Sequence, residues 1–169
     1  METENILYTD GSCIGNPGPG GWAAIIIING SKKTDLSGAE KETTNNKMEI
    51  TAVIKGLEYF PEKSSVKIFT DSTYVINTMT KNWKRNTNID LWNQLDSLIV
   101  NRKIEWNWVK GHSGDKFNEE ADLLANQQAR EIINKKKLTH INKEGAALMV
   151  DTSSKGNTER VAVVSGKII

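Results

Sequence analysis

Trp22-Ala23-Ala24-Ile25-Ile26-Ile27-Ile28-Asn29-Gly30 decides how this chain folds. A half-exposed strand would alternate apolar and polar residues. This run does not, so it is expected to be a strand covered on both faces. Asn29-Gly30 is the dipeptide of a type I′ turn, whose two central residues both need positive φ. The next segment, Lys32 to Glu42, should therefore pair back antiparallel. Upstream, Asn5 to Thr9 reads as a strand ended by Asp10-Gly11-Ser12, and Gly15 to Gly21, with Pro17 and Pro19, as a loop.

Downstream the period changes. From Thr44, the residues Met48, Ala52, Val53, Ile54, Leu57 and Phe60 fall on one side of a helix that Pro61 ends. Val66 to Thr70 is a short strand ended by Asp71, and a helix follows to about Thr80. After a polar break, a second helix runs from Ile89 to Val100. Lys103 to Val109 alternates with period two, which puts Ile104, Trp106 and Trp108 on one face. A last helix, Phe117 to Asn134, carries the stripe Ala121, Leu124, Ala125, Ala129 and Ile132. Three antiparallel strands followed by two helix-linked ones make an α/β fold, a mixed five-stranded sheet flanked by helices. Beyond Lys135-Lys136-Lys137 the pattern thins. Asp151 to Glu159 is polar, and Val161 to Ile169 has strand character with no evident partner.

The chain has 169 residues, with a net charge of +1 and 37% apolar residues, which is one domain's worth with a modest core. A bulk polycation is excluded, but the charge is graded: −3 over residues 1–60, +3 over 61–103 and +1 over 104–169. In the basic middle, Lys81, Lys84 and Arg85 surround Trp83, a combination suited to phosphates and stacked bases. The longest apolar run falls far short of the ~20 residues a spanning helix needs. The N-terminus lacks the basic and apolar stretches of a secretory signal. The lone Cys13 cannot form an internal disulfide. A small monomeric cytoplasmic domain with no membrane association is expected.

Two strands, 61 residues apart, end in Thr-Asp with a serine close behind: Thr9-Asp10-Gly11-Ser12 and Thr70-Asp71-Ser72. Ligands of α/β sheets gather at the carboxyl ends of strands, so neighbouring strands would bring Asp10 and Asp71 together. A single strand-terminal Asp is ordinarily a turn former or cap, but two at equivalent positions carry more weight. Glu49 lies in the first turns of its helix, where an acid also suits the dipole. Asp122 sits beside an apolar stripe with no cation at helix-pairing spacing, and a metal would answer its need for a partner. Carboxylates facing one point raise one another's proton affinity. Hard divalent cations resolve the repulsion, and a pair of them about 3.5–4 Å apart can promote in-line phosphodiester displacement. No histidine or cysteine cluster points to zinc instead.

The segment Tyr8 to Gly21 (Tyr-Thr-Asp-Gly-Ser-Cys-Ile-Gly-Asn-Pro-Gly-Pro-Gly-Gly) resembles the opening of a bacterial-type, type 1 ribonuclease H. The resemblance continues through Thr43-Thr44-Asn45-Asn46-Lys47-Met48-Glu49, Thr70-Asp71-Ser72, and Val109-Lys110-Gly111-His112-Ser113-Gly114 leading to Asn118-Glu119-Glu120-Ala121-Asp122. It covers roughly residues 3–134 in order. It implies a ribonuclease H-like fold over residues 1–137, with 138–169 as an extension of unassigned role. It also implies that Asp10, Glu49, Asp71 and Asp122 hold two Mg²⁺ ions, with Mn²⁺ as a substitute. The implied reaction is endonucleolytic cleavage of the RNA strand of an RNA–DNA hybrid, giving 5′-phosphate and 3′-hydroxyl ends. His112 matches the family's mobile loop histidine, which assists proton transfer or product release. Gly11, Cys13, Gly15, Asn16, Asn45 and Asn46 match the region that reads the 2′-hydroxyls. Thr44 and Asn88 match the pocket for a DNA phosphate, and Trp83, Lys84 and Arg85 match the basic protrusion.

Three departures bear on substrate grip. Glu42, beside Lys41, stands where many relatives have Arg, Thr73 stands where a Gln is frequent, and the protrusion is about a dozen residues shorter. An integrase-like DNA nuclease of the same fold and a non-catalytic hybrid-binding module are the rival readings.

Overall fold

The structure is a computed structural model and describes residues 2–138. Strand β1 (Asn5–Cys13) pairs antiparallel with β2 (Gly18–Ile28), and β2 pairs with β3 (Ser31–Thr43). Helix α1 (Asn45–Glu58) leads to β4 (Ser65–Thr70), which lies parallel to β1 on its other side. Helices α2 (Thr73–Thr80) and α3 (Ile89–Ile99) lead to β5 (Lys103–Trp108), parallel to β4, and α4 (Lys116–Leu138) closes the described fold. The sheet order is β3-β2-β1-β4-β5. This is the mixed sheet expected from the pattern. The apolar stretch at Val161–Ile169 and the rest of the extension, apart from Leu138 at the end of α4, lie outside the described residues.

The strand period of two divides the core. On one face, Leu7, Ala24, Ile26, Val66 and Ile68 pack with Ile50, Val53, Ile54 and Leu57 of α1 and with Trp92 and Leu95 of α3. On the other, Ala23, Ile25 and Ile27, with Ile6 and Tyr8 at their margin, pack against Ala121 and Ala125 of α4. Residues 23–27 therefore lose water on both sides, as their unbroken apolarity required. Asn29 (φ 50°) and Gly30 (φ 76°) form the turn with both central residues at positive φ.

Several boundaries move. β1 does not stop at Asp10 but runs on to Cys13, because Gly11, Ser12 and Cys13 keep pairing with Trp22, Gly21 and Gly20. For the same reason Gly18 to Gly21 are strand, not loop, and the loop shrinks to residues 14–17. Ile104 and Trp106 pack on the α1–α3 core as the alternation implies. Trp108 shares their parity but is 51% exposed, at the end of the strand. The α4 stripe buries Ala121, Ala125 and Ala129, whose small size lets the helix lie close to the sheet, while Ile132 is half-buried.

Candidate active site

The last β1–β4 pair is Thr9 with Thr70. The following residues, Asp10 and Asp71, therefore leave neighbouring parallel strands at the same level, although only β1 continues as strand. Glu49 comes to them from α1, and the oxygens of Asp10, Glu49 and Asp71 lie within 4.8 Å of one another. That approach depends on Gly11. A Cβ there would stand 2.4 Å from the Glu49 nitrogen, so only a glycine lets α1 rest directly on β1. Thr44 caps α1, its side chain accepting a hydrogen bond from Lys47 N.

The cluster is dry. Asp10 and Glu49 are 4% and 5% exposed, and Asp71 is half-buried. Burial is the largest cause of a rise in the Asp10 pKa from 3.8 to about 8. Asp71 and Asp122 add to the rise, and the Gly11 N–H opposes it. Burial, then Asp10 and Asp71, likewise hold the Glu49 carboxyl well above the usual range. Asp71 is raised by burial, against a lowering hydrogen bond from Asn118, with Asp122 raising it and His112 lowering it. Among the described residues no lysine or arginine is ion-paired with these acids.

Asp122 enters from α4. It lies outside the tight trio yet close enough to raise the proton affinity of Asp10 and Asp71. It is half-buried and not without a partner, because Asn126, one turn on, donates to its carboxylate at 2.9 Å. An amide four residues along the same helix face thus gives Asp122 a partner within the protein, beside any metal that its position suggests.

Hard oxygen donors and an unsatisfied buried oxygen fit a divalent cation. Glu49 Oε2 is buried with no hydrogen-bond partner, a costly condition that a cation would relieve. The chemistry open to such a cluster is that of a cation-assisted site acting on phosphate oxygens.

His112 is exposed, at positive φ (54°), on the loop between β5 and α4, and is near enough to Asp71 to lower its pKa. Gly111 makes room for this, since a Cβ there would lie 2.8 Å from Asp71 Oδ2. Beside the acids, the Gly15–Asn16 loop is tied to α1: Asn16 Oδ1 accepts from the Asn45 N–H at 3.0 Å, and Gly15 takes φ 86°. Asn46 is exposed, and the half-buried Cys13 thiol donates to the Thr43 carbonyl at 3.3 Å and more distantly to that of Gly18. Asn88, in the left-handed region before α3, donates to the Tyr74 hydroxyl at 3.4 Å.

The basic protrusion divides. Trp83 and Lys84 are exposed between α2 and α3. Arg85 instead turns onto the protein, donating twice to Asp96 and lying 5.3 Å from the centre of the Trp92 ring. Its guanidinium is engaged in joining that segment to α3.

Sequence reasoning missed the polar residues that hold the acids. Asn118, 2% exposed, points its amide at Asp71 Oδ2 (3.5 Å). Asp115 caps α4 through the Phe117 and Asn118 N–H groups and accepts from the Tyr8 hydroxyl. Ser12 donates to Asn126 at 2.7 Å. The spacing Asn118, Asp122, Asn126, one turn apart each time, was the available signal.

The RNase H family profile matches residues 2–130. A Ribonuclease H of Francisella philomiragia is 49% identical over 143 residues, covering 77% of this chain and 93% of that protein. A Ribonuclease H of Wolbachia pipientis wMel is 49% identical over 135 residues, covering 72% and 92%. Among solved structures, LC11-RNase H1 in complex with an RNA/DNA hybrid is similar with a TM-score of 0.67 at 26% identity, covering 77% of this chain and 99% of that one. The N-terminal RNase H domain of a Mycobacterium tuberculosis protein, solved as a fusion with maltose-binding protein, shares the fold. Its TM-score is 0.72 at 24% identity, covering 80% of this chain and 99% of that one.

Proposed function

This chain belongs to the ribonuclease H family, and we propose that it hydrolyses the RNA strand of RNA–DNA hybrids, leaving 5′-phosphate and 3′-hydroxyl ends. The observation that carries the reading is the meeting of buried Asp10 and Glu49 with half-buried Asp71, and with Asp122 beside them, in a chain of this family. The catalytic domain is residues 1–137. The protein acts as a cytoplasmic monomer; among the described residues no helix is long and apolar enough to cross a membrane.

Asp10, Glu49 and Asp71, with Asp122 completing the set, would hold two Mg²⁺ ions, for which Mn²⁺ can substitute. When bound, the ions supply a water made acidic enough to attack at neutral pH and charge neutralisation at the phosphate and leaving oxygens. The chain's own residues do the rest. Their burial excludes bulk water, which strengthens every charge interaction inside. The Gly15–Asn16 loop, tied to Asn45, presents amides and backbone to the 2′-hydroxyls that distinguish RNA from DNA. Thr44 and Asn88 hold a phosphate of the DNA strand, and exposed Trp83 and Lys84 extend the grip.

His112, on a loop flanked by Gly111 and Gly114, assists either proton transfer at the cleaved phosphate or product release. Steady-state kinetics of His112→Ala should show kcat lowered at least about tenfold with KM nearly unchanged. An unchanged kcat removes His112 from the mechanism.

The decisive assay offers labelled RNA–DNA hybrid, single-stranded RNA and duplex DNA side by side, with and without Mg²⁺. Cleavage of the hybrid's RNA strand alone, abolished by a chelator, is expected. Preference for DNA would establish the integrase-like alternative. Hybrid binding without metal-dependent cleavage would establish a non-catalytic module.

A further inference from the structure

We propose that Ser12 and Asn126 are positioning residues that hold the Asp122 carboxylate in place against Asp10, and so set how tightly the four-acid site takes a divalent cation. The proposal rests on reading that cluster as a cation site.

The arrangement follows from two periods. Asp10 and Ser12 are two apart on β1 and point to the same face of the sheet, the one that α4 covers. Two strand residues advance about 6.6 Å, and the four helical residues from Asp122 to Asn126 advance about 6 Å. Strand and helix thus keep step, and the Asp10–Asp122 pair is followed by a second rung, Ser12–Asn126. In that rung the Ser12 hydroxyl donates to Asn126 Oδ1 at 2.7 Å. Because Oδ1 is committed to Ser12, the amide nitrogen must face the other way. There it donates at 2.9 Å both to the Asp122 carboxylate and to the Asp122 backbone carbonyl. The serine fixes which end of the amide the acid meets.

The helix can come this near only because of the glycine opposite Ser12. Gly21 pairs with Ser12 across β1 and β2, and a Cβ on it would stand 2.2 Å from the Ala125 carbonyl oxygen. Backbone contact at Gly21 and the polar rung beside it together set the gap between β1 and α4. The chemistry of the rung also matters. An amide donor holds the Asp122 carboxyl group without bringing a positive charge that would compete with a bound cation. Asp122 is the acid that most needs such help, because it stands outside the trio whose oxygens lie within 4.8 Å.

The test compares the full chain with Asn126→Leu, Asn126→Asp, Ser12→Ala and Ser12→Thr, by calorimetric titration with Mg²⁺ and by hybrid-cleavage kinetics. Asn126→Leu keeps the bulk and removes the donor. It is expected to weaken Mg²⁺ binding by about 10-fold or more and to lower kcat by about 10- to 100-fold at limiting Mg²⁺, with the hybrid KM within about twofold of the parent. Asn126→Asp, which puts an acceptor where the donor was while adding a negative charge beside the site, should lower kcat at least as much, and it serves if the leucine variant does not fold. Ser12→Ala should show a smaller loss of the same kind, which Ser12→Thr restores by keeping the hydroxyl.

Unchanged Mg²⁺ affinity and kcat in both Asn126 variants overturns the proposal, as does a change in KM or folding stability alone. A threonine variant as impaired as the alanine one overturns the part given to Ser12. If the parent binds Mg²⁺ but cleaves no hybrid, the functional reading fails while the calorimetric comparison still decides this one.

Discussion

Asp10→Asn is expected to abolish hybrid cleavage, by about 10³-fold or more, and at the same time to raise the melting temperature of the protein freed of divalent ions. The first effect follows from removing an oxygen donor shared by the whole cluster. The second follows from electrostatics: Asp10 is buried among Glu49, Asp71 and Asp122, and folding forces it toward its protonated form. Its pKa rises from 3.8 to about 8 on folding, so between those values the folded protein keeps a proton that the unfolded chain releases. The group's favourable contribution is complete below about pH 3.8 and is lost as pH rises through about 8. The metal-free parent should therefore lose stability between about pH 3.8 and 8, and the asparagine variant should lose less. The gap between them widens with pH, to about 1–3 kcal/mol on the alkaline side after allowance for relaxation of the site. Adding Mg²⁺ should close or reverse the gap, because the cation stabilises only the intact cluster. Thermal melts at several pH values, with and without Mg²⁺, measure all of this. A variant that melts well below the parent in chelator would show that the acids do not repel.

Gly11→Ala should be as damaging to the fold as Asp10→Asn is to catalysis. The added methyl would lie 2.4 Å from the Glu49 nitrogen and 2.5 Å from the Met48 carbonyl carbon, both backbone atoms that no rotamer change can move aside. Relief requires α1 to lift from β1, and α1 carries Ile50, Val53, Ile54 and Leu57 of the larger core. A loss of about 3 kcal/mol or more is expected in denaturant unfolding, at the upper end of overpacking penalties. Cleavage should fall with it even where the protein stays folded, because Glu49 is displaced from Asp10 and Asp71. A variant with parental stability would mean that α1 does not rest on Gly11 as closely as described.

The two changes separate what the chain states locally from what it states only when folded. Asp10 and Asp71 were legible as a pair because each follows a threonine at the end of a strand pattern, a local regularity repeated 61 residues later. The double burial of residues 23–27 was legible from their unbroken apolarity, and the Asn29-Gly30 turn from the φ values it demands. The end of β1 was not legible. An Asp-Gly-Ser sequence signals a turn, but Gly11, Ser12 and Cys13 found partners in Gly20, Gly21 and Trp22, and cross-strand pairing overrode the local signal. Arg85 shows the same limit. In sequence it belongs to a basic, aromatic cluster, and only the packing of α3 reveals Asp96 and the Trp92 ring waiting for it.

By itself, then, the sequence determined the order and kind of the elements and the mixed sheet, because these follow from periodicity, and through its resemblance to a family it pointed to Asp10, Glu49, Asp71 and Asp122. The tertiary structure alone decided how the acids are held: Glu49 buried and with an unmet oxygen, Asp71 against Asn118, and Asp122 against Asn126, which Ser12 in turn holds. Those contacts join α4 to β1 and to the residue that follows β4, across as many as 114 residues of chain. Such contacts depend on register and on the closeness of helix to sheet, which short-range patterns do not encode.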